Sequence, residues 1–249
     1  VLAVLETIAS NQPIGVRALA RLLDTDKSAI QRALVTLADE GWIRAIAEPP
    51  TRWEVSDHIL AIAYAAHGSD DLRRRARPAL EQLRDEAQET VLLVVPDVKS
   101  FVIADVIESR QMLRLVPHIG YLVGARGTAT GRALLPFMNA ERQLALLGAA
   151  PDQQILEEFE LTRARGYAVS EGEINPSATN LAAPIFNFDG SPAGAILVCA
   201  PSERLTPPHY AAVGELLVRV AKDLSRGAAM PSSPAVENSQ PTDLEISAL

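Results

Sequence analysis

ALARLLDTDKSAIQRALVTLADEGWI, residues 18–43, is the stretch that decides the reading of this chain. Just before and within it, Val16, Leu19, Ala20 and Leu23 recur at the i, i+3, i+4, i+7 spacing of one helical face. The turn LDTD at 23–26 follows, where Asp26 or Thr25 can cap the free amides of a second helix spanning Lys27 to Asp39. That helix has an apolar stripe of Ile30, Ala33, Leu34 and Leu37, and an opposite stripe of Lys27, Ser28, Gln31, Arg32 and Thr36. Two helices, a short turn and a polar outer face on the second are the parts of a helix-turn-helix. Ser28, Gln31 and Arg32 fall on one strip that can enter a major groove, where Arg pairs with guanine and Gln with adenine by two hydrogen bonds each. Ser28 and the first-turn amides suit phosphate oxygens, and Arg17, Arg21, Lys27, Arg44 and Arg52 are the candidate phosphate contacts around them. Helix pairs with a polar outer face also occur in domains that bind no DNA, so the flanking sequence has to decide.

On the N-terminal side, Val1, Val4, Leu5 and Ile8 form another helical stripe, closed by the loop SNQP at 10–13. On the C-terminal side, GWIRAI (41–46) and RWEV (52–55) are short strands joined by the turn AEPPT, a hairpin placed as a wing. Trp42 and Trp53 sit among apolar alternates and are expected in the core of that wing rather than stacked on bases. HILAIAYAA (58–66) is a short apolar helix with a linker or dimer role, and DLRRRARPALEQLRDEAQ (71–88) a long helix capped by Asp70 and bent at Pro78. The period then changes to strands at 90–96, 101–107 and 111–116, to helices at 130–138, 141–148 and 155–166, to strands at 166–171, 180–188 and 193–200, and to a last helix at 207–226. The fold class expected is α+β with a largely antiparallel sheet. Its parts would be a winged helix-turn-helix domain (1–57), a linker helix (58–70), a ligand-binding domain (71–226) and a disordered tail (227–249) rich in Pro, Ser and small residues.

Composition bounds the rest. At 249 residues and 48% hydrophobic, the chain can bury at least one good core and is long enough for a small domain beside a medium one. It has one cysteine, Cys199, hence no internal disulfide and no cysteine-rich zinc site, as suits a reducing cytoplasm. The longest apolar runs, 60–66 and 193–200, are far short of the roughly 20 residues that span a bilayer, so no membrane partner is expected. The chain opens at Val1 inside a helical pattern, and whether residues precede it is left open. The net charge of −8 is unusual for a nucleic-acid binder, and residues 1–57 hold six basic against eight acidic groups. DNA binding must then rest on a locally basic face and on the pairing of two subunits over two half-sites.

KSAIQRALVTLADEG at 27–41 resembles the recognition helix of the IclR family of bacterial transcription regulators. RGYAVSEGEINPSATNLAAPIFNFDGSPAGAILVCAPSERLT (165–206) is similar to that family's effector-domain signature, and RGTATGRALLPF (126–137) to its small-residue segment before a helix. The resemblance runs from about Val1 to Gly227. It implies a GAF-like C-terminal domain that binds a small organic acid, a double-stranded DNA operator, and a homodimer that pairs into tetramers in many members. It also implies a pocket lined by Thr128, Ala129, Thr130, Gly131, Ser170, Ala178, Asn180, Leu197 and Cys199. From the residues alone, the GTATG run lacks large side chains and precedes a helix, so its amides can approach a carboxylate. Members that sense two- and three-carbon acids carry an acidic group, a cysteine and two serines at the positions matching Ser170, Asn180, Leu197 and Cys199. Leu197 makes this pocket more apolar, which favours a larger or aromatic acid. Sheet core is an equal reading for Leu197 and Cys199, and Tyr121, Arg126 and His118 are candidates for the pocket's mouth.

Other readings stay open at this point. GARGTATG (124–131) has neither the GxGxxG spacing nor the Lys-Ser/Thr ending of a nucleotide loop. Cys199 has no nearby histidine, and His58, His67, His118 and His209 show no ligand spacing, so no catalytic residue, metal or cofactor is expected. A sensory module working through protein partners, with the helix pair serving dimerisation, is the main alternative to a DNA-binding regulator. An enzyme is the remaining one.

Overall fold

The computed structural model describes residues 1–46, 50–67 and 72–225, with side chains left out at 64–67. The expected cap Asp70, part of the wing turn and the 227–249 tail lie outside the described residues. The chain divides into two compact units, Val1–Asp71 and Leu72–Leu249.

The first unit opens with α1 (Leu2–Asn11), α2 (Val16–Leu22) and α3 (Lys27–Asp39). α1 continues into the expected SNQP loop because Ser10 Oγ and Asn11 Nδ2 donate back to the carbonyls of Glu6 and Thr7, at 3.0 and 2.9 Å. Asp24 takes a left-handed φ of 47° in the turn, a conformation that Asp tolerates better than most side chains. Asp26 then caps α3, its Oδ1 accepting from the Ala29 amide at 2.9 Å. Ile8, Leu19, Ile30, Leu34, Leu37 and Ile43 are buried together. Strands β1 (Ile43–Ile46) and β2 (Arg52–Val55) pair antiparallel, and Ile14 adds a bridge to Trp53 with main-chain bonds of 3.0 and 2.8 Å. Trp42 and Trp53 pack against this core as the sequence implies. α4 (His58–His67) follows, with Ile59, Leu60 and Ile62 exposed.

The second unit starts with α5 (Leu72–Ala87), which runs through Pro78 and turns Ala76, Leu80 and Leu83 inward. The remaining elements are β3 (Thr90–Pro96), β4 (Phe101–Ile107), β5 (Leu122–Val123), α6 (Ala129–Leu134), a 3-10 turn (Leu135–Phe137), α7 (Ala140–Leu147), α8 (Gln153–Arg165), β6 (Ala168–Glu171), β7 (Ala178–Phe186), β8 (Pro192–Pro201) and α9 (Pro207–Leu224). The strands form one antiparallel sheet in the order β5-β4-β3-β8-β7-β6. The strand expected at 111–116 does not form. Its residues 111–114 are exposed, and Arg114 closes a local turn on Glu108 at 3.0 Å; the edge position goes instead to Leu122–Val123 beside Phe101–Val102.

Helices cover both faces of the sheet. α5 and α9 pack on one, burying Leu80, Leu83, Leu93, Val198 and Leu217. α6 and α8 pack on the other, burying Val94, Ile103, Leu134 and Phe159. Each fully buried large aliphatic or aromatic side chain contributes about 1.5–3 kcal/mol, so these two layers hold the helices on the sheet. A bulge between Leu93 and Val94 reverses the facing of β4, which puts Asp105 beneath α5. There both Asp105 oxygens accept from Arg77 at 3.0 Å, compensating a carboxylate that is fully buried.

Candidate nucleic-acid interface and ligand cavity

All nine side chains that the sequence assigns to DNA are exposed: Arg17, Arg21, Lys27, Ser28, Gln31, Arg32, Thr36, Arg44 and Arg52. The helical period brings Ser28, Gln31, Arg32 and Thr36 along one shallow depression on the outer face of α3. Arg17, Gln31 and Arg52 meet at a second groove, bounded by the start of α2, by α3 and by Trp53 of the wing. Gln31 belongs to both and joins the helix face to the wing. Arg21 and Lys27 line neither groove.

Local bonds limit three of the nine, the Thr36 hydroxyl donating to the Arg32 carbonyl at 3.1 Å. The Ser28 hydroxyl donates to Asp26 Oδ1 at 2.5 Å, so its proton is occupied and must leave that bond before it can be donated to a phosphate oxygen. That bond, followed by the Ala29 amide, holds the Asp26 carboxyl below the usual range. Arg44 is spanned across the wing to Glu54 at 2.5 Å, with Asp57 at 4.0 Å, and its charge is partly neutralised before any DNA arrives. Arg44 and Glu54 are direct cross-strand partners in the hairpin, which makes the pair a product of the register.

In the second unit, a cavity of about 350 Å³ lies between the sheet and the start of α6, within the range of about 300–1,000 Å³ common for small-molecule sites. Thr128, Ala129, Thr130, Ser170, Ala178, Asn180, Leu197 and Cys199 line it, eight of the nine residues expected. Gly131 does not. A Cβ there would stand 1.8 Å from the Ala125 carbonyl oxygen, so this glycine permits α6 to pack on the preceding loop. Its amide is taken by the Thr128 hydroxyl at 3.0 Å, which caps the helix. Of the three residues named for the mouth, only Tyr121 lines the cavity; Arg126 pairs with Asp152 at 3.5 Å, and His118 is exposed elsewhere on the loop.

The polar groups in the cavity differ in how far they are satisfied. Ser170 Oγ donates to the Gly127 carbonyl at 3.0 Å. Thr130 is 1% exposed and its hydroxyl is buried with no hydrogen-bond partner. Burial, with the nearby Glu89 charge adding, pushes the Cys199 thiol up to about 12 and keeps it protonated. Glu89 itself is held by Arg204 in a two-pronged bond of 2.5 and 2.7 Å. Among the described residues, no charged side chain lines the cavity.

Sequence reasoning missed the apolar side of the cavity: Leu92, Val94, Ile103, Leu115 and Val123, together with Ile174 and Asn175 of the loop before β7. Leu92 and Val94 alternate on a strand that was recognised, so period two could have found them. Ile174 and Asn175 lie in an exposed loop with no periodic signal. Among the described residues, no helix is long and apolar enough to cross a membrane, and no three His, Cys, Asp or Glu side chains gather as a metal site.

Comparison with known proteins gives the family of both parts of the chain. The family profile "IclR helix-turn-helix domain" matches residues 1–46, and "Bacterial transcriptional regulator IclR C-terminal" matches residues 64–226. The HTH-type transcriptional regulator BhcR of Paracoccus denitrificans is 29% identical over 245 residues, covering 92% of this chain and 85% of that protein. The transcriptional repressor IclR of Escherichia coli is 26% identical over 238 residues, covering 90% and 86%. Among solved structures, an IclR regulator of Silicibacter sp. TM1040 aligns with a TM-score of 0.78 at 23% identity, covering 93% of this chain and 96% of that one. The Thermotoga maritima IclR aligns with a TM-score of 0.67 at 20% identity, covering 90% and 94%. Those two likenesses speak to the fold; the profile matches, which span well over half the chain, establish that it belongs to the IclR family of bacterial transcription regulators, proteins that bind DNA through a helix-turn-helix and are not enzymes.

Proposed function

We propose that this regulator reads an operator through Ser28, Gln31 and Arg32 on α3, and that a small organic acid, aromatic or otherwise largely apolar, binds in the second unit and changes its hold on DNA. The observation that carries the ligand half is the buried, unpartnered Thr130 hydroxyl on the wall of a largely apolar cavity. An orphaned buried hydroxyl costs free energy that a bound acceptor returns. The DNA half is supported by the exposure of the α3 strip and its continuity with Arg17 and Arg52 at the wing. Arg21 and Lys27 add phosphate contacts from the turn, and Thr36 borders the strip. A single winged unit offers few contacts, so the working form is a homodimer on two half-sites, with a dimer of dimers as the larger assembly. In this reading residues 1–57 read DNA, 58–70 link, and 71–226 sense.

Gel retardation on the DNA upstream of the protein's own gene tests the reading. Arg32→Ala should weaken specific binding by about 1–3 kcal/mol while leaving binding to unrelated DNA little changed. Full retention of site affinity would remove α3 as the reading element. A thermal-shift screen of carboxylic acids should find one that stabilises the protein and alters retardation. If only uncharged compounds do so, the acid assignment fails.

A further inference from the structure

The cavity is polarised along the sheet, and its polarity specifies the ligand more narrowly than an organic acid. Ser170, Asn180 and Cys199 are register partners across β6, β7 and β8, forming one polar row. Two residues along, Leu197 and Leu92 are partners; two further, Val94 stands between Ala195 and Ile103. The distance from the first row to the last is four strand residues, about 13 Å. Thr130, at the start of α6, lines the same cavity, and with Asn180 it supplies hydrogen-bond donors with no acceptor already assigned among the described residues. The Ser170 proton is spent on Gly127. The apolar end is walled by Leu92, Val94, Ile103, Leu115 and Val123, and Tyr121, more than half exposed, holds the one hydroxyl on that side.

Resting on the acid-binding reading above, we infer that the ligand is a one-ended monocarboxylate, a ring or branched hydrocarbon whose single carboxylate accepts from the Thr130 hydroxyl and the Asn180 carboxamide and whose body lies over Leu92, Val94 and Ile103. A carboxylate is an acceptor-only head, and the Thr130 hydroxyl and the Asn180 carboxamide can each donate to it. A second polar group on the ligand would be buried among aliphatic side chains and lose its hydrogen bonds to water. A dianion would place an extra charge in a cavity with no charged side chain to compensate it. A two- or three-carbon acid would leave the Leu92–Ile103 end unfilled.

The test is calorimetric titration of the full chain with benzoate, phenylacetate, 4-hydroxybenzoate, terephthalate, phenylacetamide and pyruvate, repeated on Thr130→Val and Thr130→Ser. Benzoate or phenylacetate should bind best, with the others at least tenfold weaker. Thr130→Val should weaken the best acid about ten- to hundredfold, the usual loss of one hydrogen bond to a charged group, and Thr130→Ser should restore most of it. Without ligand, Thr130→Val should melt no lower than the parent, since it removes a hydroxyl that has no partner. A lower melting point for unliganded Thr130→Val overturns the assignment of that hydroxyl to ligand. Equal or tighter binding of 4-hydroxybenzoate, terephthalate or pyruvate overturns the one-ended ligand and leaves the acid reading standing. Failure of every carboxylate, or equal binding of phenylacetamide, overturns both.

Discussion

Replacing Gly131 by alanine should destabilise the second unit, although alanine is the better helix former by about 1 kcal/mol. The added Cβ would meet the Ala125 carbonyl oxygen at 1.8 Å and its carbon at 2.7 Å, whereas ordinary contact begins near 3.4 Å. The two backbones would have to part by about 1.6 Å at that point. Both flanking residues are tied: Ala125 is buried, and the Thr128 hydroxyl beside it bonds to the Gly124 carbonyl at 2.8 Å while capping the Gly131 amide. Overpacking at such a site costs about 1–3 kcal/mol or more, and losing the cap adds about 1, so the net effect after the propensity gain is a loss of about 2 kcal/mol. Gly124→Ala is the matched control, because a Cβ there meets nothing within 4 Å and the backbone is not in the left-handed region. It should lie within about 1 kcal/mol of the parent. Denaturant unfolding followed by circular dichroism measures both. Both tryptophans, Trp42 and Trp53, belong to the first unit, so their fluorescence follows that unit separately. A Gly131→Ala protein as stable as the control would show that α6 does not need this close approach, and would return Gly131 to the list of ligand contacts.

Glu54→Gln should free Arg44 from its cross-wing partner, tightening DNA binding severalfold at low salt and steepening its salt dependence by about one unit; unchanged binding would mean that the wing strand carrying Arg44 does not approach the backbone. Cys199 should resist alkylation at pH 8 until the protein unfolds, since burial raises its thiol pKa to about 12; rapid labelling of the folded protein would show a cavity far more open than its lining implies. Asp26→Ala should lower the thermal stability of the first unit at neutral pH. The folded carboxyl is held below its ordinary range by Ser28 and Ala29, so its contribution is full above about pH 4 and fades as the pH falls through the lower folded value. The gap between parent and variant should therefore close in acid; a gap that persists would assign the effect to the loss of helix packing instead of the cap.

How much of this was legible in the sequence depends on how local the cause is. α3 was readable closely, since one periodic stripe fixes its face; its start was left between two caps, Thr25 and Asp26, and Asp26 takes the role. β4 was readable from its alternation, and β3 and β8 from short continuous apolar runs, because the central strands are buried on both faces. The 111–116 segment has the composition of a strand, and what cancels it is tertiary: the sheet edge is taken by Leu122–Val123, and Arg114 turns the chain back on Glu108. The bulge that buries Asp105 is invisible for the same reason, because it arises from a mismatch between two strands that neither strand contains alone.

The sites follow the same division. Outward residues of a helix can be read from its inward ones, and the α3 strip emerged whole; Arg44 was read as a free cation because its partner, Glu54, is set by hairpin register. The cavity's polar rim was carried by a short motif, and its apolar floor was not, because a leucine lining a ligand site and a leucine filling a core look alike until the layer above them is known. Gly131 makes the converse point, since a glycine beside a binding loop invites a ligand reading that the 1.8 Å approach to Ala125 reassigns to packing. What a cavity of this kind selects is therefore written mostly in residues without chemistry of their own. On the proposed reading, Leu92, Val94 and Ile103 would set which acids are excluded, and Thr130 would set only where the carboxylate goes. Exchanging those aliphatic residues should change the preferred effector more readily than any change on α3.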